Sequence, residues 1–291
     1  RIMSYNRIAF TATAALVALP VGALLKYPSA YRVVFPIAAV VGMIGSFIYL
    51  QIENLYRDRW PPEPPRVPLR ERLALASLWC SARKTGRFLS DTFRIFGEDA
   101  GYRWFALSVF TYGFGNLMIM PLIPIYQVDR LHISTAQIGL LAQVAQVTSI
   151  FAYFYWGRFV DLKSPLRGVV INVLLNACIP LIYFFSGSAW HLVPAFLLTG
   201  VTNAGIDLSY FNSILSFANE ENVARYQALH SFLLGIRGTL APFAGVAVMH
   251  LLEARGFDTK YLFLVGMVLI LLGCWMQVKG MGAHYRGGQP R

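Results

Sequence analysis

Residues 168–186 read GVVINVLLNACIPLIYFFS and contain no charged side chain. A helix needs about 20 such residues to cross the hydrocarbon core of a bilayer. Lipid offers no hydrogen-bond partner to the peptide groups, so an apolar run of this length is stable there only as a helix. The run therefore predicts a transmembrane helix.

Seven further runs of similar length and character lie along the chain. The eight runs cover residues 8–25, 33–50, 104–127, 135–157, 168–186, 190–216, 228–252 and 260–279. The chain is 56% hydrophobic and only 13% charged, whereas soluble domains carry about 25% charged residues. The sequence therefore predicts an all-α membrane protein, a multi-span helical bundle embedded in the lipid bilayer.

Positive charge is distributed unevenly over the loops. The chain has 25 Lys and Arg against 14 Asp and Glu, a net charge of +11. If the chain starts inside and the spans alternate, nineteen of the 25 basic residues lie inside and five outside, with Arg237 inside a span. This bias follows the positive-inside rule. It explains the net charge without a nucleic-acid partner, and it predicts a multi-pass protein of the cytoplasmic (inner) membrane with both termini inside.

Residues with catalytic or metal-binding chemistry are scattered along the chain. Its three cysteines and five histidines give no disulfide framework and no metal-ligand spacing. We find no His-Glu-x-x-His, Gly-x-Ser-x-Gly or Gly-x-x-x-x-Gly-Lys motif. We therefore expect no catalytic residue, metal ion or cofactor, and we keep an intramembrane enzyme only as a second alternative.

The runs divide the chain into four parts. Residues 1–50 hold two spans, 51–100 form a cytoplasmic linker, 101–280 hold six spans, and 281–291 form a cytoplasmic tail. The linker opens with five prolines within residues 61–68, a density that favours an extended spacer. A basic amphipathic stretch follows, which we expect to lie on the inner membrane surface, with docking between two parts of the bundle as the alternative.

A charged loop separates the fourth and fifth runs and reads GRFVDLKSPLR from Gly157 to Arg167. Gly157 and Asp161 have the spacing of the signature Gly-x-x-x-Asp-Arg/Lys-x-Gly-Arg-Arg/Lys. Lys163 and Arg167 supply basic charge one position out of register. The loop resembles that of the major facilitator superfamily, which lies between the second and third helices of each six-helix half. Four positions depart from the signature: Leu162, Ser164, Pro165 and Leu166.

The resemblance covers residues 101–280 well and residues 1–100 in outline. It implies two halves of six helices, with residues 1–50 as the last two helices of the first half. We therefore expect an N-terminally truncated chain, completed by four missing helices or by a second copy. The function that the resemblance implies is secondary active transport of a small solute by alternating access, with the Gly157–Arg167 loop as a conformational latch.

Two charges lie well inside spans, Asp207 and Arg237. Intramembrane charges are costly and mark functional sites by default. Their depths agree within about one helical turn, so the two could form a buried ion pair or each face a watery cavity. Asn203 and Tyr210 share the face of Asp207, and His230 shares that of Arg237. We expect all five in the substrate or proton pathway, with packing as the alternative for His230.

Weaker polar candidates lie on the third to fifth runs. Three belong to the predicted pathway: Tyr112, Asn116 and Gln143. Three more amides are as suited to hydrogen bonds between helices as to ligand contacts: Gln146, Asn172 and Asn176. Five prolines are candidate sites of helix kinks: Pro121, Pro124, Pro180, Pro194 and Pro242.

The two buried charges also suggest what is transported. Arginine near the membrane midplane suits an anionic or carboxylated solute. Asp207 could carry a proton, which would couple transport to protons. The first alternative to a carrier is a transporter-fold protein that acts as a sensor or partner without transport.

Overall fold

The structure is a computed structural model, and it describes Tyr5, Leu16 and residues 7–14, 31–50, 93–219 and 222–286. Helices make up nearly all of this part of the chain, and no strand occurs within it. The predicted all-α architecture is confirmed. The proline cluster, most of the amphipathic stretch and most of the first apolar run lie outside the described residues.

The chain divides into two compact units. The smaller unit spans residues 16–90 and contains one described helix, α1 (Tyr31–Leu50), which coincides with the second apolar run and holds Pro36. The larger unit comprises residues 1–15 and 91–291. In it, the described residues of 7–14 are helical, and a second short helical segment covers residues 93–98.

Seven named helices follow in the larger unit: α2 (Ala100–Ile119), α3 (Leu122–Ile125), α4 (Thr135–Leu162), α5 (Pro165–Phe185), α6 (Val193–Leu215), α7 (Val223–Ala254) and α8 (Tyr261–Arg286). Six stretches of the described chain are long and apolar enough to cross a membrane, and they coincide with the third to eighth apolar runs. α2 packs against α7 and α8, α6 packs against α4 and α5, and α5 also packs against α8.

Buried side chains form two main clusters, one at each end of this bundle. The first joins the beginning of α2 to the beginning of α5 and the end of α6, and it includes Phe105 and Leu166. The second joins the far end of α2 to the beginning of α8, and it includes Ile119 and Phe263. Because the helices are apolar on nearly every side, these clusters hold the bundle together through close packing rather than through one amphipathic face.

Asp99 determines where α2 begins. Its carboxylate accepts a hydrogen bond from the Tyr102 backbone N–H at 2.9 Å, which caps the helix. The same carboxylate accepts a hydrogen bond of 3.0 Å from the Tyr226 hydroxyl at the start of α7. The Tyr102 hydroxyl donates to the Tyr226 carbonyl at 3.0 Å. Asp99 therefore joins the beginnings of α2 and α7.

The prolines have different effects on their helices. α2 ends before Pro121, and the chain continues through α3 and a π-helical turn at Tyr126–Arg130. Pro180 and Pro242 lie inside continuous helices, α5 and α7. Pro194 occupies the first turn of α6, where the missing N–H costs nothing. Pro121 is thus the position at which proline coincides with a helix end.

Glycines allow the close contacts that α2 makes with α7 and α8. On α8, a Cβ at Gly273 would lie 2.7 Å from the Tyr112 Cβ, and the Gly273 carbonyl accepts a hydrogen bond of 2.8 Å from the Ser108 hydroxyl. On α7, a Cβ at Gly245 would overlap the Met118 carbonyl oxygen. α2 therefore approaches both neighbours at backbone distance, as small residues allow between membrane helices.

Candidate functional site

A cavity of about 510 Å³ lies among α4, α6 and the helical residues 7–14. Its polar side chains come from all three segments: Arg7, Thr11, Gln146, Ser149, Tyr153, Thr199, Asn203 and Asp207. The apolar side chains of Phe10, Phe196 and Ile206 complete much of the wall. A cavity of this size, mixed in character and lined by convergent polar groups, is the default candidate for a small-molecule site.

Asp207 is the acidic group of this cavity. The Tyr153 hydroxyl of α4 donates a hydrogen bond to Asp207 Oδ2 at 2.9 Å. Arg7 Nη1 lies 3.7 Å from the same oxygen. Asp207 is fourteen residues from the beginning of α6 and eight from its end. The carboxylate is therefore held by one cation and one hydroxyl, well inside a span.

The polar wall follows from helical periodicity. On α4, Gln146, Ser149 and Tyr153 recur at spacings of three and four, which places them on one face. On α6, Thr199, Asn203 and Asp207 recur every four residues. α4 and α6 pack together, so the two polar stripes border one cavity.

Arg237 belongs to a second cluster. Its Nη1 donates to the Val109 carbonyl of α2, and its guanidinium lies against Gly113, where a Cβ would overlap it. The rings of Tyr112 and Tyr210 meet edge to face beside it, with centroids 6.4 Å apart. This cluster therefore joins α2, α6 and α7.

His230 also lies in the Arg237 cluster. It is buried, its ring stacks on Phe105 with centroids 6.3 Å apart, and it meets the Tyr210 ring edge-on at 6.1 Å. These are packing contacts. They agree with the alternative interpretation of His230 as a residue that packs between helices.

The ion pair considered between Asp207 and Arg237 is wrong for the described part of the chain. Asp207 pairs there with Arg7, whereas Arg237 donates to a backbone carbonyl. The position of a residue along its helix does not fix how the helix is rotated about its axis. Asp207 faces α4, whereas α7 packs mainly against α2.

The other predicted pathway residues separate into three groups. Asn203 lines the cavity with Asp207. Tyr112, Tyr210 and His230 lie in the Arg237 cluster. Asn116 and Gln143 are partly buried and are not among the residues that line the cavity.

The remaining amides also divide between the cavity and the packing of helices. Gln146, one turn from Gln143, does line the cavity. Asn172 and Asn176 are buried in α5, where the Asn172 side chain packs against Gly205 of α6.

Sequence reasoning missed Arg7 and Tyr153. Arg7 counted as one more basic residue flanking a span, although its side chain reaches Asp207. Tyr153 was one tyrosine among 15. Its spacing from Gln146 and Ser149 was the available signal, because polar residues at intervals of three and four mark a helix face that does not meet lipid.

The segment from Gly157 to Arg167 is mostly helical, and only a short connection separates its two helices. Gly157 is buried inside α4, and Asp161 lies in the last turn of that helix. Lys163 and Ser164 alone join α4 to α5, both with extended backbone. The Lys163 ammonium lies 5.9 Å from the centroid of the Phe159 ring, and Arg167 lies in the first turn of α5. The segment is thus a tight turn between two spans.

Among the described residues, no three or more His, Cys, Asp or Glu side chains are grouped so that they could hold a metal ion. The cavity chemistry available from these residues is therefore that of a carboxylate, a guanidinium, hydroxyls and amides.

Comparison with known proteins identifies the family of the six-helix part of the chain. The family model described as Major Facilitator Superfamily matches residues 105–280, which contain nearly all of the six long helices and the Gly157–Arg167 segment. A search of curated proteins found no match.

Proposed function

Because this chain belongs to the major facilitator superfamily, we propose that it is a secondary active transporter that moves a small solute by alternating access. The family match confirms the resemblance seen in the loop. The protein is a multi-pass integral membrane protein in contact with lipid, and members of the superfamily are in general transporters rather than enzymes. The family match alone does not specify the solute, the coupling to protons or the alternating-access mechanism, and these are what we propose.

The observation that carries this proposal is the contact of Asp207 with Arg7 and Tyr153 inside a cavity of about 510 Å³. Ionisable groups within spans are rare because their desolvation is costly, and those that persist border solute or ion pathways. Asp207 lies between residues of α4 and the helical residues 7–14. A solute or a proton that binds there would change the contact between those two segments.

Proton coupling follows from the charge of this group. Protonation of Asp207 would remove the negative partner of Arg7 and weaken their ion pair, whereas the Tyr153 hydrogen bond could persist to a neutral carboxyl. The protonated and the charged carboxyl would then favour different arrangements of the wall, and a solute that binds better beside the protonated form would move together with the proton. A ligand shifts such an equilibrium only through a difference in affinity between the two states.

The proposal is tested by proton movement in vesicles. We would reconstitute the purified chain with a pH-sensitive dye inside and add a panel of sugars, amino acids and carboxylates from outside. At least one solute should drive a saturable pH change that a protonophore removes and that protein-free vesicles lack. A solute that stabilises the protein without flux would favour the sensor alternative, and chemical conversion of the solute would favour the enzyme.

We also propose that the Gly157–Arg167 segment lies at the inner face of the cytoplasmic membrane and latches one state of the transporter. The basic residues Arg158, Lys163 and Arg167 support the inner position through the positive-inside rule. Asp161, exposed in the last turn of α4, is an acidic group of this segment. Its charge can be attracted by a neighbouring helix N-terminus or a basic side chain when two rigid bodies meet.

Changing Asp161 to Ala is expected to slow transport about tenfold, equivalent to about 1.4 kcal/mol of barrier, because the contact that holds one state is lost. Initial uptake rates in vesicles would measure this, with the yield of folded protein as a reference. The matched control is Glu253→Ala, which removes an exposed carboxylate at the other end of the bundle. A normal rate in the Asp161 variant would contradict the latch.

A further inference from the structure

Arg237 is a cation without an acidic partner among the described residues. It lies fourteen residues from the beginning of α7 and seventeen from its end, which is about 21 and 25 Å at 1.5 Å per residue. Its described hydrogen-bond partner is the neutral Val109 carbonyl, bonded to Nη1. The positive charge thus lies near the midplane of the membrane with no carboxylate in the described chain to balance it.

Two donors of this cluster make no hydrogen bond of good geometry. They are the Nε of Arg237 and the hydroxyl of Tyr210, both buried, although the Arg237 guanidinium and the Tyr112 and Tyr210 hydroxyls lie close enough to one another to interact. Both lie in the same group of side chains, beside Tyr112 and His230. An unmade hydrogen bond at a buried donor costs about 1–3 kcal/mol, and more for a charged group.

The position of the guanidinium is fixed by its surroundings. Gly113 leaves the space that the guanidinium occupies, and the Val109 carbonyl holds Nη1. A planar guanidinium held in this way presents its remaining N–H groups in a fixed fork, which suits the two oxygens of a carboxylate or the oxygens of a phosphate. An anion supplies both the missing charge and the missing acceptors.

We propose that Arg237 and the Tyr210 hydroxyl receive an anionic oxygen group, most simply a carboxylate, of the transported solute. This inference rests on the proposed function and gives the class of its substrate. Ile206 connects the two sites, because its side chain lines the Asp207 cavity and also packs against the cluster that contains Tyr112 and Tyr210. A solute that extends from the cavity past Ile206 would have its anionic end next to Arg237.

The test is a binding measurement that does not depend on transport. Thermal unfolding of the purified chain in detergent would be followed with benzoate, with its uncharged analogue benzamide, with inorganic phosphate, and with sodium chloride at equal ionic strength. Benzoate should raise the midpoint of unfolding in a saturable way, and benzamide and sodium chloride should not. Phosphate that acts in place of benzoate would assign the site to a phosphorylated solute. No stabilisation by either anion would overturn the proposal.

Variants locate the effect. Arg237→Gln should weaken apparent benzoate affinity roughly tenfold or more, since a charge-assisted hydrogen bond is lost. Tyr210→Phe, which keeps the charge and the packing, should weaken it by a smaller factor, and this variant still tests the site if Arg237→Gln does not fold. The matched control is Arg130→Gln, which removes a guanidinium in a surface ion pair with Asp258 and should leave benzoate binding unchanged.

The outcomes separate this inference from the proposed function. Loss of the benzoate effect in Arg7→Gln but not in Arg237→Gln would overturn the site proposed here. Saturable uptake of a neutral solute that is unaffected by Arg237→Gln would leave transport standing and remove the anion site. Benzoate stabilisation that depends on Arg237, without flux of any solute, would leave the anion site standing and contradict transport.

Discussion

Replacing Asp207 with Asn is expected to abolish proton-driven net uptake while solute exchange across the membrane continues. The amide keeps an oxygen that can accept the Tyr153 hydrogen bond, but it cannot release a proton or pair with Arg7. The variant therefore corresponds to the permanently protonated state. Net uptake requires the empty carrier to return without its proton, whereas exchange of one solute for another does not. Net uptake should fall at least about 100-fold, or about 2.7 kcal/mol of barrier.

Two assays on the same vesicles measure this difference. Net uptake would be driven by an imposed pH gradient, and exchange would be measured with labelled solute outside and unlabelled solute inside. Asp258→Asn is the matched control, since this aspartate pairs with Arg130 outside the cavity. Net uptake that keeps its normal pH dependence in the Asp207 variant would exclude this group as the proton carrier.

Gly245→Ala is expected to destabilise the folded protein, which is the second large effect. The new Cβ would overlap the carbonyl oxygen of Met118 and lie 2.9 Å from its carbonyl carbon. Both are backbone atoms, so no side chain can rotate to relieve the contact, and α2 and α7 must separate. Overpacking of this kind lowers the free energy of unfolding by about 1–3 kcal/mol. Replacing glycine inside a helix raises the same quantity by about 1 kcal/mol.

Gly238→Ala provides the control in the same helix. A Cβ at Gly238 would meet no other atom within 4 Å. Only the favourable effect of replacing glycine inside a helix remains, so the free energy of unfolding should be unchanged or slightly higher. The midpoint of thermal unfolding in detergent distinguishes the two variants. Equal midpoints for both would show that α2 and α7 do not meet closely in the folded protein.

The fold could be predicted largely from hydropathy. The third to eighth apolar runs each coincide with a helix, because lipid leaves the backbone no other way to satisfy its hydrogen bonds. Helix ends were less accurate. α4 continues to Leu162 although its apolar run ends at residue 157, and α7 begins at Val223 although its run begins at residue 228. Helices extend beyond the hydrocarbon core, where the hydropathy pattern stops.

The site could be predicted only in part. Asp207 and Asn203 were found because charged and polar residues are rare in spans. Their partners were not, since Arg7 is far away in sequence and contact with it depends on how helices are rotated and arranged. The ion pair with Arg237, one of the two alternatives left open by the sequence, does not form among the described residues for the same reason. A sequence pattern indicates where a residue lies along its helix and which residues share its face. It does not indicate which helix faces pack against one another.

The connection between α4 and α5 has a mechanical consequence. Its two residues, Lys163 and Ser164, already have extended backbones, and adjacent Cα atoms can be no more than about 3.8 Å apart. The connection therefore has no spare length. The ends of the two helices cannot be drawn farther apart unless a turn of one of them unwinds. Any displacement of the end of α4, the helix that carries Tyr153, must be followed by the beginning of α5, so the cavity wall and this turn move together.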